Sequence, residues 1–309
     1  MEKNGRKVKV IFLVINILLS IVISYFSYQE LNKYNNYSKN ENNLKDNYNK
    51  IFYEKENINN DINNLEKEIN TFNNLNKEII KERDKVFELA SKIEQQIKKN
   101  ESNKKIIYLT FDDGPYYNTY KVLSILKDYN IKATFFTTNV NGTNCFDNSK
   151  YNCHLIYKEI AKDNHTIANH TYTHGWNKGL YTNANTFIDA VLKQEDLIKE
   201  YTGIKTNIVR FPGGSSTPGS KKESMVEKLR EHGYGYVDWT AEDGDGMSLS
   251  SYNEGWRKLI NSTTDNIEVV LFHDYHPITT QILPNYIKYL ENNNYIILPL
   301  FYDSVMINK

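Results

Sequence analysis

Between Arg6 and Asp113 the chain contains neither glycine nor proline. Of its 14 glycines only Gly5 lies earlier; the rest, with all 6 prolines, follow from Gly114 onward. A run of roughly 100 residues without breakers predicts continuous helix, and the breaker-rich remainder predicts a turn-rich globular domain. The pattern changes near Asn100, so the domain is expected over residues 104–309, enough chain for one sizeable core. The 38 basic and 38 acidic residues cancel, which gives no support to a nucleic-acid partner, since that needs a basic face.

Val10 to Phe26 is apolar apart from Asn16, Ser20 and Ser24. Extended to Tyr28, the run spans about 28 Å at ~1.5 Å per residue, close to a hydrocarbon core of ~30 Å. Lys3, Arg6, Lys7 and Lys9 make residues 1–9 a basic tail, which puts the N-terminus in the cytoplasm and the bulk of the chain outside the cell membrane. The rival reading is a leader cleaved after small residues, but the run ends in the bulky Ser24-Tyr25-Phe26-Ser27-Tyr28. Residues 10–28 are therefore expected to be an uncleaved single-pass anchor.

Residues 29–103 read as a stalk. A 4-3 spacing runs through Leu44, Tyr48, Ile51, Lys55, Ile58, Ile62, Leu65, Ile69, Phe72, Asn76, Ile79, Arg83, Val86, Ala90, Ile93 and Ile97, apolar except at Lys55, Asn76 and Arg83. Such a repeat keeps one seam facing a partner helix, so a homo-oligomeric coiled coil is expected, with Asn76 and Arg83 setting register. A poorly ordered polar linker is the alternative, given the many asparagines.

From Lys105 short apolar runs alternate with amphipathic stretches. Strands are expected at 106–110, 133–136, 166–168, 207–211, 234–239, 268–272 and 295–298, with helices between them. Repeated β-α alternation implies a parallel sheet with helices packed outside. The expected fold class is α/β, an irregular (β/α)7-type barrel in preference to an open doubly wound sheet. In both, functional groups gather at the C-terminal ends of strands.

Four motifs sit at those ends. Thr110-Phe111-Asp112-Asp113-Gly114-Pro115 closes the first strand with two adjacent carboxylates, whose repulsion calls for a cation or a tuned pKa. His170-Thr171-Tyr172-Thr173-His174 offers two imidazoles at i and i+4, which on a helical turn chelate one ion. Arg210-Phe211-Pro212-Gly213-Gly214-Ser215 offers a guanidinium to lower a carboxylate's pKa and glycines that let a backbone N–H approach a ligand. Leu271-Phe272-His273-Asp274 brings a histidine out of an apolar strand onto a pocket rim. Each alone has an ordinary reading as a turn, a cap or a satisfied histidine. His154, His165, His232 and His276 match no role.

Together these segments resemble the polysaccharide deacetylase family, the NodB-homology or carbohydrate esterase family 4 domain, over about Lys105 to Leu300. The resemblance implies Asp112 as general base, Asp113, His170 and His174 as metal ligands, and Arg210 as the residue tuning the base. It implies His273 as general acid, a substrate-binding role for Pro212 and Gly213, the latter through an oxyanion-hole N–H, and Leu271 in the acetyl pocket. Glu242 falls where the family places an aspartate, and would orient His273, with Asp243 as a rival. Gly246 falls where the family has Trp; Trp239 is the candidate groove wall. The cofactor implied is a divalent metal ion, Zn²⁺ first, though such a donor set suits other ions.

The activity implied is hydrolysis of N-acetyl groups from a cell-wall polysaccharide, peptidoglycan N-acetylglucosamine first, outside the membrane. An O-acetyl esterase and a catalytically silent surface scaffold are the alternatives. Cys145 and Cys153, the only cysteines, lie in or beside a polar loop where a disulfide is expected outside the cell, against two free thiols.

Overall fold

The computed structural model describes residues 2–139, 153–301 and 304; the side chains of 1–15, 72, 76, 79, 80, 82, 83 and 87 lie outside that description. The breaker-free run is one helix, α1 (Glu2–Lys98). The chain divides into two units, Met1–Glu78 and Ile79–Lys309. In the first, the seam positions Leu44, Tyr48, Ile51, Ile58, Ile62, Leu65 and Ile69 are all exposed in the single chain, while Phe72 and Asn76 lie outside the described side chains. Among the described residues no helix is long and apolar enough to cross a membrane; residues 10–15 of the expected anchor are not among the described side chains.

In the second unit, β and α elements alternate as expected except that β5 and β6 follow each other with no helix between: β1 (Lys105–Asp112), α2 (Thr119–Asp128), β2 (Thr134–Thr137), α3 (His154–Lys162), β3 (Thr166–Asn169), α4 (Ala184–Thr202), β4 (Ile208–Val209), α5 (Lys222–Glu231), β5 (Gly235–Tyr236), β6 (Ala241–Glu242), α6 (Tyr252–Ser262), β7 (Ile267–His273), α7 (Pro277–Asn292) and β8 (Tyr295–Leu298). Every pairing is parallel, in the order β5-β4-β3-β2-β1-β7-β6, with β8 beside the first half of β1. The sheet curls into a half-barrel and does not close: β5 and β6 end the path unpaired with each other. The strand expected at 234–239 is cut to the two residues of β5, and β6, which lies beyond it, was not expected. The Val237 N–H still reaches the Val209 carbonyl at 3.1 Å. The carbonyls of Val237 and Asp238 instead accept the Arg210 side chain, at 3.1 and 2.9 Å, so no eighth ladder forms there.

The period-2 alternation of β1 sorts its side chains into two worlds. Ile107, Leu109 and Phe111 face outward into a core built with α2, α3 and α7. Ile106 and Tyr108 face the barrel interior, with Phe136, Ala168, Ile208, Val237 and Val269. Further along the same face come Thr110 and Asp112, so the interior turns from apolar to polar toward the strands' C-terminal ends. A third cluster joins α4 and α5 to Val209 and Phe211.

Ile97, near the end of α1, belongs to the interior cluster and Ile93 packs on it; Ala90 and Glu94 are buried too. The last positions of the expected seam are thus spent on the domain. Burying one isoleucine contributes about 1.5–3 kcal/mol. A fragment beginning at residue 104 is expected to unfold at clearly lower denaturant concentration than one beginning at residue 79. Equal urea midpoints would show that α1 adds nothing to the domain.

Candidate active site

The six titratable groups singled out in the four motifs converge. Asp112 and His273 are register partners at the ends of β1 and β7. Arg210 follows β4 and is fully buried, its guanidinium stacked 4.1 Å over the Phe136 ring. Its Nη1 donates to Asp112 Oδ1 at 2.9 Å and to Thr110 Oγ1 at 2.7 Å, and Thr110 donates in turn to the Val270 carbonyl at 2.6 Å. Burial lowers the Arg210 pKa and the Asp112 charge opposes that. The guanidinium thus holds one carboxylate oxygen of Asp112 in a fixed place, as a charge-assisted bond does.

His170 and His174 do not lie on a helical turn. Thr171 and His174 adopt positive φ, 63° and 46°, which breaks the 3.6-residue period. Asn169 supports the loop: its Oδ1 accepts the Thr171 N–H at 2.9 Å and its Nδ2 donates to the Val191 carbonyl at 2.8 Å. The two rings still meet, with centroids 4.9 Å apart. His170 Nδ1 donates to the Arg210 carbonyl at 2.9 Å; a carbonyl only accepts, so the proton sits on Nδ1 and the Nε2 lone pair is free to bind.

That Nε2 lies 3.3 Å from Asp113 Oδ1, and His174 Nε2 lies 2.9 Å from the same oxygen. Asp113 Oδ1 is buried and has no hydrogen-bond partner. Three donor atoms therefore crowd one point without bonding to each other. Tetrahedral ligands about 2.0–2.1 Å from a Zn²⁺ would be separated by about 3.3 Å, so Asp113, His170 and His174 fit a divalent cation; they form a group of metal-capable side chains.

His273 Nε2 is 3.8 Å from Asp113 Oδ2. Its Nδ1 donates to Asp245 Oδ1 at 2.7 Å, while Asp245 Oδ2 accepts the His273 N–H at 2.7 Å and the Thr279 hydroxyl at 2.6 Å. Burial pulls the His273 pKa down, Asp245 pushes it further up, and the result is about 9. The ring thus carries a proton at neutral pH.

The profile for polysaccharide deacetylases matches residues 99–237. A peptidoglycan-N-acetylglucosamine deacetylase of Bacillus cereus is 31% identical over 202 residues, 63% of this chain and 69% of that protein. The chain belongs to the polysaccharide deacetylase family. The catalytic domain of a peptidoglycan N-acetylglucosamine deacetylase from Eubacterium rectale has the same fold with a TM-score of 0.60 at 33% identity, covering 67% of this chain and 93% of that one. A polysaccharide deacetylase from Bacillus cereus gives 0.57 at 25%, covering 66% and 97%.

Within this deacetylase domain, two expected assignments change. Glu242 is exposed and accepts the Trp239 indole N–H at 2.9 Å, so it does not orient His273. Asp243, the rival, accepts the Asp245 N–H at 3.0 Å; burial and the neighbouring Asp245 push its carboxyl up to about 8. Asp245 is the partner, three residues beyond Glu242 in an Asp-Gly-Asp-Gly turn whose first glycine, Gly244, needs φ +82°. Asp238, also passed over, is buried and clamps Ser215 through its N–H at 2.9 Å and its hydroxyl at 2.6 Å.

The remaining deacetylase candidates frame this centre. Leu271 is buried, in register with Thr110. Trp239 lies 5.9 Å from the Arg210 guanidinium. Pro212 and Gly213 form the loop after β4, fixed by Tyr181, whose hydroxyl donates to the Pro212 carbonyl at 2.8 Å, and by Gly213's φ of +77°. Cys153 is disulfide-bonded, and Cys145 lies outside the described residues. Of the four unmatched histidines, His276 caps α7 by accepting the Ile278 N–H at 3.2 Å, and His165 accepts the Ala133 N–H through Nδ1 at 3.1 Å.

Replacing Asp245 by Asn removes the anion that stabilises the imidazolium. The His273 pKa is then expected to fall from about 9 toward the ordinary value near 6.5. A proton donor is lost as pH rises through its pKa, so the alkaline limb of acetate release should move to lower pH. An unmoved limb in Asp245→Asn would remove His273 from the role of acid.

Proposed function

We propose that the domain removes N-acetyl groups from peptidoglycan N-acetylglucosamine, with Asp113, His170 and His174 holding a divalent cation, Zn²⁺ first. The observation that carries this is the orphaned Asp113 Oδ1 between two imidazole nitrogens, flanked by a fixed carboxylate and a protonated histidine. When bound, the cation supplies Lewis-acid polarisation of water and of the acetamide carbonyl. Asp112, held by Arg210, takes the proton of the attacking water. The Gly213 N–H lies in the loop that would receive the oxyanion. His273 gives its Nε2 proton to the departing amine, and Asp245 keeps the ring turned for that transfer. Products are acetate and the free amino sugar.

The experiment is acetate release from purified peptidoglycan by the full chain, with metal content measured on the same sample. Acetate with matching free amino groups supports the reading. Acetate without new amines would instead make the protein an O-acetyl esterase, and none from any acetylated glycan would overturn both.

The same reading places residues 10–28 in the cell membrane with the domain outside, supported by the apolar run and the basic tail before it. It makes the stalk a homo-oligomer through the exposed Leu44–Ile69 seam. A peptide of residues 44–97 is expected to sediment as a dimer or trimer; a random-coil monomer at high concentration would refute the coiled coil.

A further inference from the structure

Asp113 adopts φ +69° without being glycine. Left-handed backbone costs most residues about 1–2 kcal/mol and an aspartate less, and at a buried site it is held by what packs around it. One constraint is visible on the far side of the turn, where the Gly114 carbonyl accepts the Thr138 N–H at 2.9 Å. The second comes from Asp274, the residue after His273.

Asp274 is fully buried. Its Oδ2 accepts the Thr119 hydroxyl at 2.6 Å, and its main-chain carbonyl accepts Asn118 Nδ2 at 2.9 Å. Both partners stand at the start of α2, just past the acidic turn. A Cβ built on Gly114 would lie 2.2 Å from Asp274 Oδ2, while Gly114 itself is not among the positive-φ residues. Glycine is therefore required at 114 by the carboxyl pressed against it and not by backbone conformation. Asp274 Oδ1 is buried without a hydrogen-bond partner.

We propose that Asp274 is a positioning residue that holds the Asp113 turn in its left-handed conformation by packing on Gly114, with Thr119 fixing the carboxyl in place. The contact joins the end of β7, which carries His273, to the turn that carries Asp113. It keeps Asp113 Oδ1 facing both imidazoles. The proposal rests on Asp113 being a metal ligand.

Zn²⁺ affinity of the full chain, measured by competition with a chromophoric chelator, tests it, with the melting temperature of the metal-free protein as the control for folding. Asp274→Ala is expected to weaken binding about 10- to 100-fold, as loss of an outer support does. Gly114→Ala should do the same by displacing the carboxyl. Combining them removes the clash, so the double variant should bind no worse than Asp274→Ala alone. Asp274→Asn keeps the shape and the Thr119 partner and should bind within about threefold of wild type on that account. Wild-type affinity in a folded Asp274→Ala, or single losses that multiply in the double variant, would overturn the proposal. Should Asp274→Ala fail to fold, wild-type affinity in Gly114→Ala, or a large loss in Asp274→Asn, overturns it equally. A wild-type chain that binds no Zn²⁺ overturns the metal-site reading itself, a result distinct from normal binding in the variants.

Discussion

Asp112→Asn is expected to hold metal as the wild-type chain does and to lose acetate release by about 10²–10⁴-fold. The amide has nearly the shape of the carboxylate. Its oxygen can still accept Arg210 Nη1, now 2.9 Å from Asp112 Oδ1, so the Thr110–Arg210–residue 112 chain survives. What disappears is basicity, since an amide cannot take the proton of the attacking water. Asp113 and the two histidines keep their places, and added metal should not restore the rate. Metal content and acetate release measured side by side decide it. Near-normal turnover in Asp112→Asn would mean that the base lies elsewhere.

Loss of either histidine acts on the metal instead, and the two should differ. His170 is almost fully buried, whereas the His174 side chain is 30% exposed. His170→Ala removes one of three donors and also leaves the Arg210 carbonyl without its partner, a buried loss worth about 1–3 kcal/mol. In His174→Ala water can enter the vacated position, so excess metal should partly restore binding and turnover there but not in His170→Ala. Chelator titration of both variants gives the comparison. Full occupancy and activity in His170→Ala would remove it from the ligand set.

The elements that were legible in the sequence are those whose signal is local. The period of Ile106–Thr110, the breaker-free run before it and the helical faces of α2 to α7 follow from residues within a few positions of each other. So does the convergence of Asp112, Asp113, His170, Arg210 and His273, because each directly ends or follows a strand and parallel register brings strand ends together. Asp245 was hidden because a run of three acids, Glu242, Asp243 and Asp245, offers several carboxylates to one imidazole. Only the turn at Gly244 decides which one reaches it. The i,i+4 spacing of His170 and His174 anticipated that the two rings meet, but not how: Asn169 supports a loop, and no helical turn, that brings them together. Ile97 misled in the opposite sense, since a position at the correct heptad spacing can serve a barrel floor as well as a partner helix. The open seam between β5 and β6 has no sequence signature at all, because a side chain from β4's end supplies what a strand would.

That substitution ties two properties to one residue. Arg210 donates Nε and Nη2 to the main chain of 237 and 238 and Nη1 to Thr110 and Asp112. The four bonds use a planar fork that a lysine ammonium cannot reproduce. Asp112 and the rim of the half-barrel are therefore not independently adjustable through this position. A laboratory search for altered catalysis that randomised residue 210 would recover mostly chains with a loosened rim, whatever their effect on Asp112. Variation at Thr110 or Trp239, which touch the same guanidinium from positions that do not staple the main chain of 237 and 238, leaves that architecture in place and is where retuned enzymes should be sought.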